Sequence, residues 1–139
     1  MHIKIKALAY FEFQNKLLVS EFQEPISKDY LYRPIGGTVE FGEYTKDALY
    51  REILEEINSP IEIDSLLCVI ESIFQYNNES CHEIVYFYKS KFVDKSWYED
   101  RIHYLTESDG SRLPMKWVPK SLFKENHLRL VPEKLLEFI

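Results

Sequence analysis

Between Gly36 and Ser59 the chain reads GGTVEFGEYTKDALYREILEEINS, and this stretch limits the fold more tightly than any other. Thr45 to Ile57 has helical periodicity, because Leu49, Ile53 and Ile57 recur every four residues and make one apolar stripe. Thr45 suits an N-cap and Asp47 suits the first turn, while Asn58-Ser59-Pro60 stops the helix. At about 100° per residue, with Glu52 at the origin, Glu56 falls near 40° and Glu55 near 300°. The three carboxylates therefore share an arc of about 100°. Like charges at this spacing cost a helix about 0.2–0.5 kcal/mol per pair, so the crowding calls for a compensating partner.

A solvated acidic stripe faces water, away from the buried side. Here the arc borders the apolar stripe instead. Ala48 falls near 320° and leaves room within the arc, and Arg51 lies one turn from both Asp47 and Glu55, where it can brace either. The double glycine ahead of the helix lets backbone carbonyls approach a ligand closely. Clustered carboxylates with a carbonyl oxygen suit Mg²⁺ or Mn²⁺.

Around this helix the pattern is mostly that of strands. Ile3–Phe13 and Lys16–Phe22 read as a hairpin about Gln14-Asn15, and Tyr30–Ile35 as a short strand ending at Gly36-Gly37. Ile61–Tyr76 and His82–Val93 are two long strand-like runs joined by a turn at Asn77–Ser80. Between Asp94 and Arg112 the chain is polar with interspersed aromatics, and MKWVP is a short strand. Pro119 opens a helical segment, and VPEKLLEFI reads as a helix with Pro132 in its first turn. Strands with a helix in the middle and one or two at the end imply an α/β (α+β) fold, a mixed sheet covered by helices.

A length of 139 residues accommodates one domain with a real core, so residues 1–139 read as a single domain. The net charge of −6 argues against broad electrostatic binding to nucleic acid or anionic membrane, but a bound divalent cation can reverse the local field for an anionic substrate. No apolar run approaches the length of a membrane span, and the alternating MHIKIKALAYFEF is no signal peptide. Cys68 and Cys81, without a CxxC, read as reduced thiols of a cytoplasmic protein.

Gly37, Glu43 and then Arg51-Glu52-Ile53-Leu54-Glu55-Glu56 stand at the spacing of the Nudix box, G-x5-E-x7-R-E-U-x-E-E-x-G-U with U a bulky aliphatic, and the chain resembles the Nudix hydrolases. Six fixed positions match, a chance of order 10⁻⁷ at one start. Asn58 stands where the family has glycine and Ser59 where it has an aliphatic residue. The former tolerates the left-handed conformation of a helix C-cap, and the latter forgoes an apolar contact.

The resemblance implies an α/β/α sandwich and hydrolysis of a nucleoside diphosphate linked to another group X, with Mg²⁺ or Mn²⁺ as cofactor. It implies Glu52, Glu55, Glu56 and the Gly36 carbonyl as metal ligands, with Glu52 a proposed general base in parts of the family. Arg51 and Glu43 would orient the carboxylates, and Gly37 and Glu40 would support the loop. A distal carboxylate is expected from Glu107 or Asp109, with Glu99, Asp100 and the strand residue Glu83 behind them, whereas His82 reads as structural. Arg33 and Lys28 are the candidate phosphate-binding cations. Trp97, Tyr98, Tyr104, Tyr10, Tyr30 and Tyr32 are candidates to stack on an aromatic group.

Tyr76, 17 positions after Ser59, resembles a marker of dinucleoside polyphosphate hydrolases, while the proline marker of ADP-ribose hydrolases is absent at Phe74 and Gln75. A free nucleotide, either a nucleoside triphosphate or a dinucleoside polyphosphate, is the leading substrate. The alternatives are an RNA 5′-end pyrophosphohydrolase, disfavoured by the charge, and a non-catalytic Nudix-fold nucleotide-binding or regulatory module, disfavoured by the retained glutamates. The resemblance also allows a homodimer.

Overall fold

The computed structural model describes residues 2–139. Strands β1 (Ile3–Tyr10), β2 (Glu12–Phe13), β3 (Lys16–Gln23), β4 (Tyr30–Arg33) and β5 (Gly36–Thr38) precede helix α1 (Thr45–Ile57). Then follow β6 (Ile61–Tyr76), β7 (Glu79–Phe92), a 3₁₀ turn (Lys95–Tyr98), β8 (His103–Thr106) and β9 (Arg112–Pro119). Helix α2 (Lys120–Lys124) and a second 3₁₀ segment (Glu133–Phe138) end the chain.

One sheet has the order β5-β1-β7-β6 and is mixed, because β1 and β7 run parallel while the other pairs are antiparallel. A second, antiparallel sheet has the order β2-β3-β9-β8, with β4 also paired to β3. Alternation along β1 divides the interior. Ala7 and Ala9 face a core shared with Leu49 and Ile53 of α1, Phe92 and Trp117. Leu8 and Tyr10 face a second core with Val85, Phe87, Phe123 and Leu135. Helix α1 thus covers one side, and the C-terminal segments cover the other. Among the described residues no helix is long and apolar enough to cross a membrane.

Several local expectations are corrected. Gly36-Gly37 does not end an extended segment but forms β5 with Thr38, because a Cβ at Gly36 would lie 2.1 Å from the Ala7 carbonyl oxygen and only glycine lets the strand close onto β1. Tyr44, not Thr45, is the N-cap of α1 and makes no side-chain cap bond, while the Thr45 hydroxyl shares a hydrogen bond of 2.6 Å with Tyr88. Ala48 is fully buried and packs inward instead of opening space among the glutamates. The β6–β7 turn narrows to Asn77-Asn78, both with positive φ, and pairing resumes at Glu79. The polar stretch after β7 contains β8, and Glu133–Phe138 is 3₁₀ rather than α-helical.

The two departures at the end of α1 are each accommodated. Asn58 adopts the left-handed C-cap conformation (φ 49°) and its N–H returns to the Leu54 carbonyl. Ser59 is buried, and its hydroxyl accepts a 3.0 Å hydrogen bond from the Trp97 indole N–H. Where an aliphatic residue would pack, the chain uses a polar pair that ties the helix exit to the 3₁₀ turn. Ser59→Ala is therefore expected to lower stability by about 1–3 kcal/mol, since it strands the indole donor. A urea denaturation midpoint that falls at unchanged slope would show this.

Candidate active site

Arg51 organises the site. Its Nε and Nη2 donate to the two carboxylate oxygens of Glu43 at 2.8 and 2.9 Å, a bidentate pair. Nη2 also reaches the Thr38 carbonyl at 3.0 Å, and Nη1 donates to Glu52 Oε1 at 3.0 Å and to Glu55 Oε1 at 3.3 Å. One guanidinium thereby fastens α1 to β5 and to the loop between them. Glu43 in turn accepts the Glu40 backbone N–H at 2.9 Å, which closes the loop on itself, while the Glu40 carboxylate stands 3.9 Å from Arg51. This contact holds the Glu43 carboxyl down at about 2, through the Arg51 hydrogen bond first and the Glu40 amide second.

The three arc glutamates occupy different environments. The Glu55 side chain is 58% exposed and that of Glu52 20%. A Cβ at Gly37 would come within 2.2 Å of the Glu52 carboxyl carbon, so the glycine makes the space in which that carboxylate sits. Glu56 is the innermost, and its Oε1 is buried with no hydrogen-bond partner. Its pKa is pushed up to about 8, first by burial and then by repulsion from Glu52, with Glu107 and Glu55 adding to it and Arg33 opposing.

Among the described residues no three acidic, His or Cys side chains stand close enough together to hold a metal ion as they are. Glu52 and Glu55 are instead drawn onto Arg51. The donor set still fits a hard divalent cation, since it is all oxygen and includes a buried carboxylate oxygen that nothing in the protein satisfies.

Of the other expected residues, Arg33 and Glu107 are near enough for their charges to act on Glu56. Lys28 stays in its own exposed turn, where its backbone bonds Glu24 and Gln23. Asp109 caps the turn at Ser111, Asp100 pairs with Lys16 and Glu99 with Arg101, so each is engaged elsewhere. Glu83 is buried on the face of β7 that carries Val85, and His82 lies half-buried on the opposite face, as the alternation expects. Trp97 and Tyr98 pack against Phe92, and Tyr10 and Tyr32 are buried with hydroxyls donated to Glu12 and Glu21. Tyr104 and Tyr30 are exposed, the former under Arg112 at 4.5 Å. The aromatics near Arg33 are instead Phe22 and Tyr76. Sequence reading also passed over Lys6, whose charge interacts with those of Arg33, Glu83 and Glu52. In IKIKALAY it looks like an ordinary polar position of an alternating strand.

A mixed sheet behind a glycine-cradled acidic helix defines an α/β fold with a carboxylate-rich site, and comparison with known proteins gives its family. The NUDIX domain model matches residues 5–134, and the chain belongs to the Nudix family. Its members are in general pyrophosphohydrolases of nucleoside diphosphate derivatives that use divalent metals, and this chain is an enzyme of that class.

Among solved structures it is similar to the E. coli ORF135 protein, with TM-score 0.61 and 18% identity over 99% of this chain and 89% of that one. It is similar to a MutT NUDIX hydrolase from Burkholderia pseudomallei, with TM-score 0.59 and 24% identity over 87% and 86% of the two chains. A NUDIX-family hydrolase from Clostridium perfringens gives TM-score 0.59 and 17% identity over 99% and 93%. At these identities the likeness is one of fold. No curated protein matches the chain by sequence.

The buried Glu56 carboxyl has a consequence for stability. Between the ordinary carboxyl value of 4.5 and about 8 it is protonated when folded and ionised when unfolded. The unfolded state then binds fewer protons, so the Glu56 contribution to stability is present at low pH and is lost as pH rises through that window. In metal-free buffer, Glu56→Gln should remove this loss, and its stability relative to wild type should rise between pH 5.5 and 8. Paired urea midpoints at the two pH values measure it.

Proposed function

We propose that the protein is a divalent-metal-dependent hydrolase that cleaves a diphosphate linkage in a free nucleotide, a nucleoside triphosphate or a dinucleoside polyphosphate. The observation that carries this reading is the unpartnered, buried Oε1 of Glu56. A carboxylate kept there against burial and against Glu52 costs stability, and a cation would offset that cost.

Glu52, Glu55, Glu56 and the Gly36 carbonyl would hold Mg²⁺ or Mn²⁺. The cation would neutralise phosphate oxygens and raise the acidity of water. Arg51, anchored on Glu43 and Thr38, positions Glu52 and Glu55 for that task. Water attacks phosphorus, a new P–O bond forms, and the bridging P–O bond breaks with its electron pair leaving on the departing phosphate. Glu52 takes the proton of the attacking water. Glu107 is the distal carboxylate, since of the two candidates its charge is the one that acts on Glu56. Arg33 is a phosphate contact.

The net charge of −6 supports a free nucleotide over RNA, whose backbone wants a basic track. Two free cysteines fit a reducing compartment such as the cytoplasm, and residues 1–139 serve as one catalytic domain.

A phosphate-release screen over nucleotides and 5′-triphosphorylated RNA, with Mg²⁺ and with Mn²⁺, tests this beside Glu56→Gln. Turnover of at least one nucleotide is expected, with kcat lowered about 100-fold or more in the variant. Equal silence, or equal activity, of wild type and variant would sink the reading. Mg²⁺ should also raise the melting temperature of wild type more than that of Glu56→Gln, as read by thermal denaturation.

A further inference from the structure

The hairpin of β6 and β7 outruns the sheet that holds it. Pairing of β7 with β1 ends at His82 and Ile3, and beyond it residues 74–76 and 79–81 pair, among the described residues, only with each other. A two-stranded ribbon is marginally stable in water unless something holds it. What holds this tip belongs to the other sheet. The Glu24 carboxylate, in the loop after β3, accepts the Asn77 backbone N–H at 2.8 Å through one oxygen. Its other oxygen accepts the N–H groups of Ile26 and Ser27, at 2.9 and 2.6 Å, within its own loop. Beside these bonds Tyr76 packs on Phe22 of β3, with ring centroids 6.3 Å apart. One carboxylate and one aromatic pair thus clasp the tip of the first sheet to the second. The Ser27 amide first and the Asn77 amide next hold the Glu24 carboxyl down at about 2, so the clasp stays ionised at any working pH.

The clasp bears on Arg33. Antiparallel pairing sets Phe22 opposite Leu31, two positions before Arg33, so Phe22 and Arg33 share one face of this sheet. The Arg33 guanidinium lies over the Phe22 ring at 5.8 Å, on the same ring that Tyr76 touches. Among the described residues Arg33 has no carboxylate within ion-pair distance. A long, flexible side chain without an ion pair is fixed by the surface it lies on, and here that surface is Phe22. Phe22 and Tyr76 are both half-buried, so each ring relies on the other for cover.

We infer that Glu24 is a positioning residue: by clasping the β6–β7 tip it fixes the Tyr76–Phe22 pair, and through that pair the guanidinium of Arg33. This rests on the reading of Arg33 as a phosphate contact and adds to it what holds that residue in place before substrate arrives. A guanidinium fixed beforehand loses less freedom on binding, so the effect falls on substrate affinity and not on the step at phosphorus.

Two variants test this. Glu24→Ala removes the carboxylate. Glu24→Asp keeps it for the amides of its own loop but withdraws it from Asn77 by one methylene. In both, the Asn77 amide should exchange with solvent about 10-fold faster or more, and the Arg33 side-chain NMR signals should lose their ring-current shift from Phe22. For whichever nucleotide wild type turns over, KM should rise roughly 3- to 10-fold with kcat within about twofold. On an Arg33→Gln background the same changes should leave KM where Arg33→Gln alone puts it, because Glu24 acts through Arg33.

Unmoved Arg33 signals overturn the inference, as does an Asn77 amide that exchanges as in wild type. A rise in KM that persists on the Arg33→Gln background overturns it too, as does a loss confined to kcat. If wild type hydrolyses no nucleotide, the functional reading fails separately, and the Arg33 signals with the Asn77 exchange still decide whether Glu24 positions Arg33.

Discussion

The site depends on a single guanidinium. Arg51 spends its donors on a carbonyl of β5, on the loop carboxylate Glu43 and on two of the arc glutamates. Without it, and beyond Val39, whose N–H bonds the Ile5 carbonyl, the Glu40–Tyr44 connection would have little else to hold it, since Phe41 and Tyr44 point into solvent and Gly42 adopts a positive φ. The same residue reduces the repulsion among the glutamates, a role that a lysine with one point charge would fill less well. Helix, loop and strand are therefore positioned relative to one another by one side chain, and the core packing of Leu49 and Ile53 supports them from below.

Electrostatically the site is graded. At its outer rim Glu55 is solvated and braced by Arg51, and Glu52 is more enclosed beside Gly37. Innermost, Glu56 is without a partner. Arg33, of opposite sign, is near enough for its charge to act on Glu56. A chain with a net charge of −6 thus brings a cation that has no carboxylate partner among the described residues to bear on its most crowded anions. Such a boundary between opposite fields suits a ligand that is itself anionic but arrives with a metal ion.

Much of this was legible in the sequence where a local rule governs. The bounds of α1 follow from apolar periodicity and from Asn58, and both hairpin turns follow from residues that accept positive φ, at Gln14-Asn15 and Asn77-Asn78. The acidic arc and the bracing by Arg51 follow from helical spacing. What escaped was set by contacts distant in sequence. The strand at Gly36–Thr38 exists because β1 lies beside it, and β8 because β9 does. Lys6 acquires meaning only when parallel pairing brings β7, and antiparallel pairing β5, to its flanks. The partnership of Ser59 with Trp97 spans 38 positions, beyond the reach of any window on the sequence. Register shifts between Ile63 and Ser65 and between Leu66 and Cys68 break the alternation along β6, so its inward face could not be read by counting.

The contact between Gly37 and Glu52 reaches beyond this molecule. Any side chain at position 37 would intrude on the carboxyl carbon of residue 52, across a gap too small for even one methyl group. The two positions, one on a strand and one on a helix, therefore share one small volume. In a lineage descended from this chain, drift at one of them is conditional on the other. A bulkier residue 37 would push the Glu52 side chain aside, and its carboxylate would no longer stand in the same place. Loss of the glycine would then relax the constraint that keeps the acid in such a lineage.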